Sequence, residues 1–217
     1  MKKPYVVINC AMSADGKIAL PNRKQMRISC DEDIKRMYHL RNESDAVLVG
    51  IGTILTDDPK LTIKEEYVKN PKQPLRLILD YYCKTPKNAL ALNNTSKTII
   101  LSKKGNEKQY NLENVKVIGC KTVGPGLLDL DAILDILCQN KIRKVLVEGG
   151  STVIWNFLKE RLADELFIYV GPFIIGGKNT PTVADGEGIK NRDDVISLKI
   201  IKIKKFGPGL LIQYKPI

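Results

Sequence analysis

Short apolar runs, several of them unbroken, recur from one end of the chain to the other with polar or turn-forming residues between them. They predict strands at Tyr5–Asn9, Ala46–Gly50, Leu75–Asp80, Thr98–Leu101, Val115–Ile118, Lys144–Glu148, Glu165–Gly171, Leu198–Lys204 and Leu210–Tyr214. Runs such as Val47-Leu48-Val49 and Val145-Leu146-Val147 do not alternate with polar residues, which is the pattern of strands buried on both faces. Helical spacing appears between some of these runs. One helix is predicted to begin near Ser29, with Glu32 completing a capping box and Ile34, Met37, Tyr38 and Leu40 on its apolar side. A second starts at Asp129 and places Leu130, Ile133, Leu134 and Leu137 on one face. A third follows Gly149-Gly150-Ser151 with Ile154, Phe157, Leu158 and Leu162.

Tyr81–Thr95 is rich in turn residues and Gly105–Asn114 is polar, so both are expected to be loops. Helices separated by buried strands predict an α/β fold with a mixed, mostly parallel sheet and helices on both faces. The last two strand patterns are joined by Lys205-Phe206-Gly207-Pro208-Gly209, which predicts a C-terminal antiparallel hairpin. The chain has 217 residues, enough for one domain over 1–217 that buries a core without staples.

Charge and composition narrow the classes. Lys and Arg number 35 against 24 acids, a formal charge of +11. The lysines are scattered and are not interleaved with aromatics, so a basic surface attractive to phosphorylated small molecules fits better than a nucleic-acid groove. Nucleic-acid binding stays as the non-enzyme alternative. The longest nearly uncharged apolar stretches, Ala46–Leu55 and Leu166–Gly177, are shorter than the ~20 residues that span a bilayer, so no membrane partner is expected. Met1-Lys2-Lys3-Pro4 enters a strand pattern without a cleavage-site signature, and a cytoplasmic location is expected. Five cysteines, none within four residues of another, read as reduced packing thiols, and no metal site is expected. His39 is the one histidine, so any Ser-His or Cys-His chemistry has a single possible base.

Three segments carry candidate chemistry. At Val147-Glu148-Gly149-Gly150-Ser151-Thr152 an apolar strand runs into two glycines and then into hydroxyl residues that open a helix. The free N–H groups and positive dipole end of such a helix suit a pyrophosphate, against the plainer reading of a strand-to-helix turn. At Gly50-Ile51-Gly52-Thr53-Ile54-Leu55-Thr56-Asp57-Asp58-Pro59 the glycine spacing is a poor dinucleotide fingerprint, because Leu55 replaces the third glycine and Pro59 ends the helix early. A short helix with Thr53 and Asp57 one turn apart remains. Asp15-Gly16-Lys17 reads as a turn, and Arg41 suits the C-terminus of the first helix.

Asp15-Gly16-Lys17-Ile18-Ala19, the run from Leu40-Arg41-Asn42-Glu43-Ser44-Asp45 through Gly50-Ile51-Gly52-Thr53 and Asp57-Asp58-Pro59 to Leu61-Thr62, and Val147-Glu148-Gly149-Gly150-Ser151 together resemble the riboflavin-biosynthesis reductase family. Arg27-Ile28-Ser29 looks like its stand-alone archaeal branch. The resemblance implies a dihydrofolate-reductase-like fold, a homodimer and use of NADPH, with NADH possible. It implies reduction of 2,5-diamino-6-ribosylamino-4(3H)-pyrimidinone 5′-phosphate to the ribitylamino compound, by hydride transfer to C1′ of a ring-opened Schiff base.

Carried over position by position, the resemblance implies cofactor contacts from Ala11, Thr53, Asp57, Asp80, Tyr81, Gly149, Gly150, Ser151 and Thr152. Substrate contacts are implied for Arg41, Leu61, Lys64 and Glu148. Where relatives carry a serine and basic residues after the strand ending at Asp80, this chain has Tyr81-Tyr82-Cys83-Lys84, so Lys84 and Ser102-Lys103-Lys104 are candidates for the adenosine 2′-phosphate. No catalytic acid or base is assigned; hydride transfer to an iminium asks chiefly for orientation and electrostatic support. A dihydrofolate-reductase-like enzyme acting on another pterin or pyrimidine is the enzymatic alternative. Leu166–Val170 and Phe173-Ile174-Ile175 place apolar residues on both faces of a late strand with few helices left to cover them, so the dimer interface is expected at or beside them.

Overall fold

The computed structural model describes residues 3–24 and 26–217. The expectation that no leader precedes the first strand concerns Met1 and Lys2, outside the described residues. In chain order the first elements are β1 (Tyr5–Ser13), α1 (Asp31–Asn42), β2 (Ala46–Gly50), α2 (Ile51–Asp57), β3 (Leu75–Leu79), β4 (Thr98–Lys103) and β5 (Val115–Cys120). There follow β6 (Thr122–Gly124), β7 (Leu127–Leu128), α3 (Leu130–Gln139), β8 (Lys144–Gly149), α4 (Ser151–Lys159), β9 (Glu165–Gly171), β10 (Leu198–Phe206) and β11 (Gly209–Pro216). They divide into two compact units, each assembled from separate stretches of chain.

The first unit holds Tyr38–Leu146 and the N-terminal residues up to Tyr5. Its strands β2, β3, β4 and β5 pair in parallel in that order, with Ala46 opposite Leu75, Arg76 opposite Thr98, and Thr98 opposite Val115. All of β2 is buried, as are Leu77, Ile78, Ile100 and Leu101, which is what unbroken apolar runs require. The α3 helix starts where the pattern places it: Asp129 caps it by accepting from the Ala132 N–H at 2.9 Å, and Leu130, Ile133, Leu134 and Leu137 are its buried face. The β6–β7 hairpin turns at Pro125-Gly126 and is too short to leave a periodic signal.

Arg76 is fully buried in β3. Its guanidinium donates to Asn93 Oδ1 at 2.9 Å, to the Asn93 and Ser96 carbonyls and to the Lys60 carbonyl at 3.4 Å, which ties two loops to the sheet. Burial pushes its pKa down to about 10.

The second unit holds Val6–Met37 and Val147–Ile217. Its strand order is β10, β11, β9, β1; β9 runs parallel to β1 and antiparallel to β11, and β10 pairs antiparallel with β11. The C-terminal antiparallel hairpin is therefore present, with Gly207 at its turn in the left-handed region (φ +58°). β1 runs on to Ser13, beyond the predicted end at Asn9, because pairing continues from Cys10 opposite Ile168 to Ser13 opposite Gly171. Helix α1 begins at Asp31 with the Ile34 N–H donating to the Cys30 carbonyl at 2.9 Å, so Ser29 stands one residue too early for the predicted capping box, and its hydroxyl donates to Asp33 Oδ2 at 2.5 Å.

The apolar surface follows the expectation in part. On β9, Leu166, Ile168 and Tyr169 are buried, but Ile174 just beyond the strand is 70% exposed, and Ile200, Ile201 and Ile203 of the edge strand β10 add further apolar surface, each about half exposed. No helix among the described residues is long and apolar enough to cross a membrane.

Candidate functional site

The residues singled out by sequence fall into two sets, one in each unit. In the first unit, the parallel strands β2 and β3 deliver their C-terminal ends to α2 and to the turn after Leu79, the kind of edge at which open α/β sheets bind ligands. Helix α2 is the short helix anticipated at Gly50–Pro59, closed by Asp58 in the left-handed conformation (φ 41°). Thr53 and Asp57 lie on it and are half-buried. Asp57 Oδ1 has no hydrogen-bond partner among the described residues, and burial pushes the carboxyl pKa upward. Gly52 is exposed, and a Cβ there would meet open space.

Leu61 (φ 53°) is buried in the loop that follows. Arg41, 8% exposed at the end of α1, donates from Nη1 to the Thr62 carbonyl at 2.7 Å and so fastens that loop to the helix. A ladder extends from it: the Arg41 guanidinium lies 5.4 Å from the Tyr38 ring centroid, Tyr38 stacks on Tyr67 at 4.6 Å, and Lys64 Nζ lies 6.0 Å from the Tyr67 ring. Lys64 is exposed and also pairs with Glu66. Arg41, Leu61 and Lys64 are thus brought together on one loop-and-helix corner. The two tyrosines carry no motif; the spacing of Tyr38 and Arg41, one helical turn apart, was the only hint in the sequence.

Asp80 and Tyr81 form the turn after β3. Asp80 is 1% exposed; its Oδ2 accepts from both the N–H and the hydroxyl of Thr85 at 2.7 Å, and its Oδ1 has no partner among the described residues. That turn presents two aromatic rings, Tyr81 edge-on to Tyr82 at 4.7 Å. Lys103 Nζ lies 5.8 Å from the Tyr81 ring and Lys84 Nζ 5.0 Å from the Tyr82 ring. The Tyr81 carbonyl is held by the Lys103 N–H at 3.1 Å and Asn106 Nδ2 at 2.9 Å. An aromatic platform flanked by cations results, suited to an adenine ring and a phosphate.

In the second unit, β8 ends at Gly149 and α4 begins at Ser151 with Gly150 as its N-cap. Gly149 has φ +115°, a conformation that side chains rarely tolerate, and a Cβ there would meet nothing within 4 Å. The Gly149–Gly150 peptide is cis. No side chain caps the helix, so its first N–H groups remain available for an anion at the positive dipole end, with the Ser151 and Thr152 hydroxyls beside them. Glu148 precedes the turn, half-buried. Ala11 lies in β1, opposite Tyr169 of β9.

Asp15, read from sequence as part of a plain turn, does more than that. It accepts from the Ser13 hydroxyl at 2.5 Å and from the N–H groups of Ile175 and Gly176 at 3.1 and 2.7 Å, pinning the loop after β9. Those hydrogen bonds, the Ser13 hydroxyl foremost, hold its pKa down at about 2.

Residues 4–212 match the family model described as the RibD C-terminal domain. The chain is 39% identical over 217 residues to the 2,5-diamino-6-ribosylamino-4(3H)-pyrimidinone 5′-phosphate reductase of Archaeoglobus fulgidus, covering 97% of each. To the protein of the same name from Methanothermobacter thermautotrophicus it is 34% identical, covering 98% of each. Among solved structures it resembles the diaminohydroxyphosphoribosylaminopyrimidine deaminase/5-amino-6-(5-phosphoribosylamino)uracil reductase of Thermotoga maritima, with a TM-score of 0.84 and 25% identity. That likeness covers 99% of this chain and 57% of the longer protein.

Proposed function

The chain belongs to the RibD C-terminal domain family, and from that premise we propose that it reduces 2,5-diamino-6-ribosylamino-4(3H)-pyrimidinone 5′-phosphate in riboflavin biosynthesis, with NADPH as reductant. Its α/β fold is that of the dihydrofolate-reductase-like reductases, and the family match over residues 4–212 supports reading the chain as one reductase domain. The observation that carries the cofactor reading is the uncapped α4 N-terminus that follows Gly149, whose backbone (φ +115°) leaves open space where a side chain would stand.

The residues present fit a dinucleotide. The N–H groups of the Gly150–Thr152 turn would hold the pyrophosphate. Tyr81 would stack on adenine, with Lys103 and Lys84 taking the 2′-phosphate that distinguishes NADPH from NADH. Thr53 and Asp57 on α2, Asp80 beneath Tyr81 and Ala11 on β1 complete the proposed cofactor contacts. When bound, the nicotinamide supplies the hydride that reduces C1′ of the ring-opened ribosylamine.

Arg41, Leu61 and Lys64 would bind the phosphorylated substrate, together with Glu148. The bond to Thr62 fixes the direction of the Arg41 guanidinium, while exposed Lys64 serves as a point charge. Orientation and fixed charge do the protein's share of catalysis, and no proton donor is assigned.

The proposal includes a homodimer, supported by the exposed isoleucines of β10, and a cytoplasmic enzyme, supported by five unbridged cysteines that suit a reducing compartment. Gly150→Val tests the cofactor placement. It should weaken NADPH binding at least tenfold in a fluorescence titration while the circular dichroism spectrum stays unchanged; wild-type affinity would put the pyrophosphate elsewhere.

A further inference from the structure

Four strands of the second unit carry one row of side chains: Asn9 of β1 is opposite Phe167 of β9, Phe167 opposite Gln213 of β11, and Gln213 opposite Lys202 of β10. Helix α1 reaches the first part of this row through Arg36. Its Nη2 donates to Asn9 Oδ1 at 2.6 Å, and its guanidinium lies 5.4 Å from the Phe167 ring centroid. Beyond that point a cavity of about 280 Å³ opens over the hairpin. Phe167, Leu211 and Phe206 supply its apolar walls, and Arg36, Lys202 and Lys204 its charges. No residue assigned above to cofactor or substrate lines it.

The charges are arranged with one sign. Arg36 is locked in place: Nε donates to Asp33 Oδ1 at 2.8 Å, and Asp33, 2% exposed, is itself held by the Ser29 hydroxyl. Arg36 Nη1 is buried and has no acceptor among the described residues, a donor left over in an otherwise satisfied network. Lys204 Nζ lies 5.1 Å from the Phe206 ring centroid. Two acids lie behind the lining without being part of it: Asp33 pairs with Arg36 and offsets its charge, and Glu165 accepts from Gln213 Nε2 at 3.1 Å. Aromatic walls and two exposed lysines, beside a guanidinium fixed by Asp33, select a ligand with a flat apolar body and an anionic group.

We propose that this cavity is a second binding site, for a small aromatic phosphate or carboxylate, built by α1 and the C-terminal hairpin. The ring lies against Phe167 and Phe206, and the anion faces Lys202 and Lys204. The site needs neither the dinucleotide nor the reductase reaction, so it stands whether or not the function proposed above is correct.

The test uses the fluorescent probe 8-anilinonaphthalene-1-sulfonate with the whole chain saturated with NADPH, and phenyl phosphate as competitor. The expected result is saturable binding of one probe per chain that weakens with added salt and is displaced by phenyl phosphate at lower concentration than by inorganic phosphate. Replacing both exposed lysines, Lys202→Glu with Lys204→Glu, should weaken the probe about tenfold or more, as expected for loss of charge-assisted contacts. The control pair Lys108→Glu with Lys116→Glu in the first unit should leave it unchanged. Equal binding by both double variants, or insensitivity to salt, would overturn the proposal. So would probe affinity that falls as protein concentration rises, since a second copy of the chain would then be the occupant.

Discussion

Asp15 shows how one carboxylate can hold a loop. Three donors converge on it from Ser13, Ile175 and Gly176, and they depress its pKa from the ordinary 3.8 to about 2. A carboxylate depressed by folding contributes its full stabilisation above its ordinary pKa and loses it as pH falls toward the folded value, here between about pH 4 and pH 2. Asp15→Asn should therefore flatten the acid limb of the stability profile in that window, read by urea unfolding at successive pH values. An unchanged acid limb would mean that the pinning contacts do not outlast the competition with water. Lys103 supports a second residue-scale expectation. If it faces the 2′-phosphate from beside Tyr81, Lys103→Glu should raise the Michaelis constant for NADPH at least tenfold and leave that for NADH nearly unchanged. Equal effects on the two cofactors would remove Lys103 from that role. Residue-level geometry was only partly legible in the sequence. Asp15-Gly16 carries a turn signal, but its long-range partners Ile175 and Gly176 are set by tertiary placement, and the Tyr38–Tyr67 stack joins residues with no local relation.

The elements themselves were mostly legible, because each rests on a local cause. The bounds of β2 and β9 follow from apolar runs ended by glycine, and α3 from an acidic cap followed by four apolar residues at helical spacing. The departures have equally plain reasons. β1 outruns its apolar pattern because a neighbouring strand continues to pair with it, β6 and β7 are too short to have a period, and α1 starts at Asp31, one residue too late for Ser29 to cap it. The Gly149-Gly150-Ser151 strand-to-helix turn was legible from its residue types, and α4 begins at Ser151 with no side-chain cap among the described residues. The positive φ of Gly149 and the open space around it supply a backbone reason for the first of the two glycines.

For the whole molecule, the α/β class with a mostly parallel sheet and a C-terminal hairpin was readable from the order of patterns, and the family from its motifs together. The pattern located only part of the apolar surface the fold leaves over: Ile174 just beyond β9 is exposed as expected, β9 itself is largely buried, and the isoleucines of β10 add a further exposed edge. An exposed apolar edge strand is a hazard unless a partner covers it, so light scattering at micromolar concentration should give twice the chain mass of 24.3 kDa. A single-chain mass would contradict the dimer.

The most direct test of the central claim is turnover. Purified chain incubated with NADPH and 2,5-diamino-6-ribosylamino-4(3H)-pyrimidinone 5′-phosphate should oxidise the nicotinamide and yield one equivalent of the ribitylamino product, two hydrogens heavier by mass spectrometry. No consumption of NADPH with that substrate, or consumption only with dihydrofolate in its place, would contradict the account.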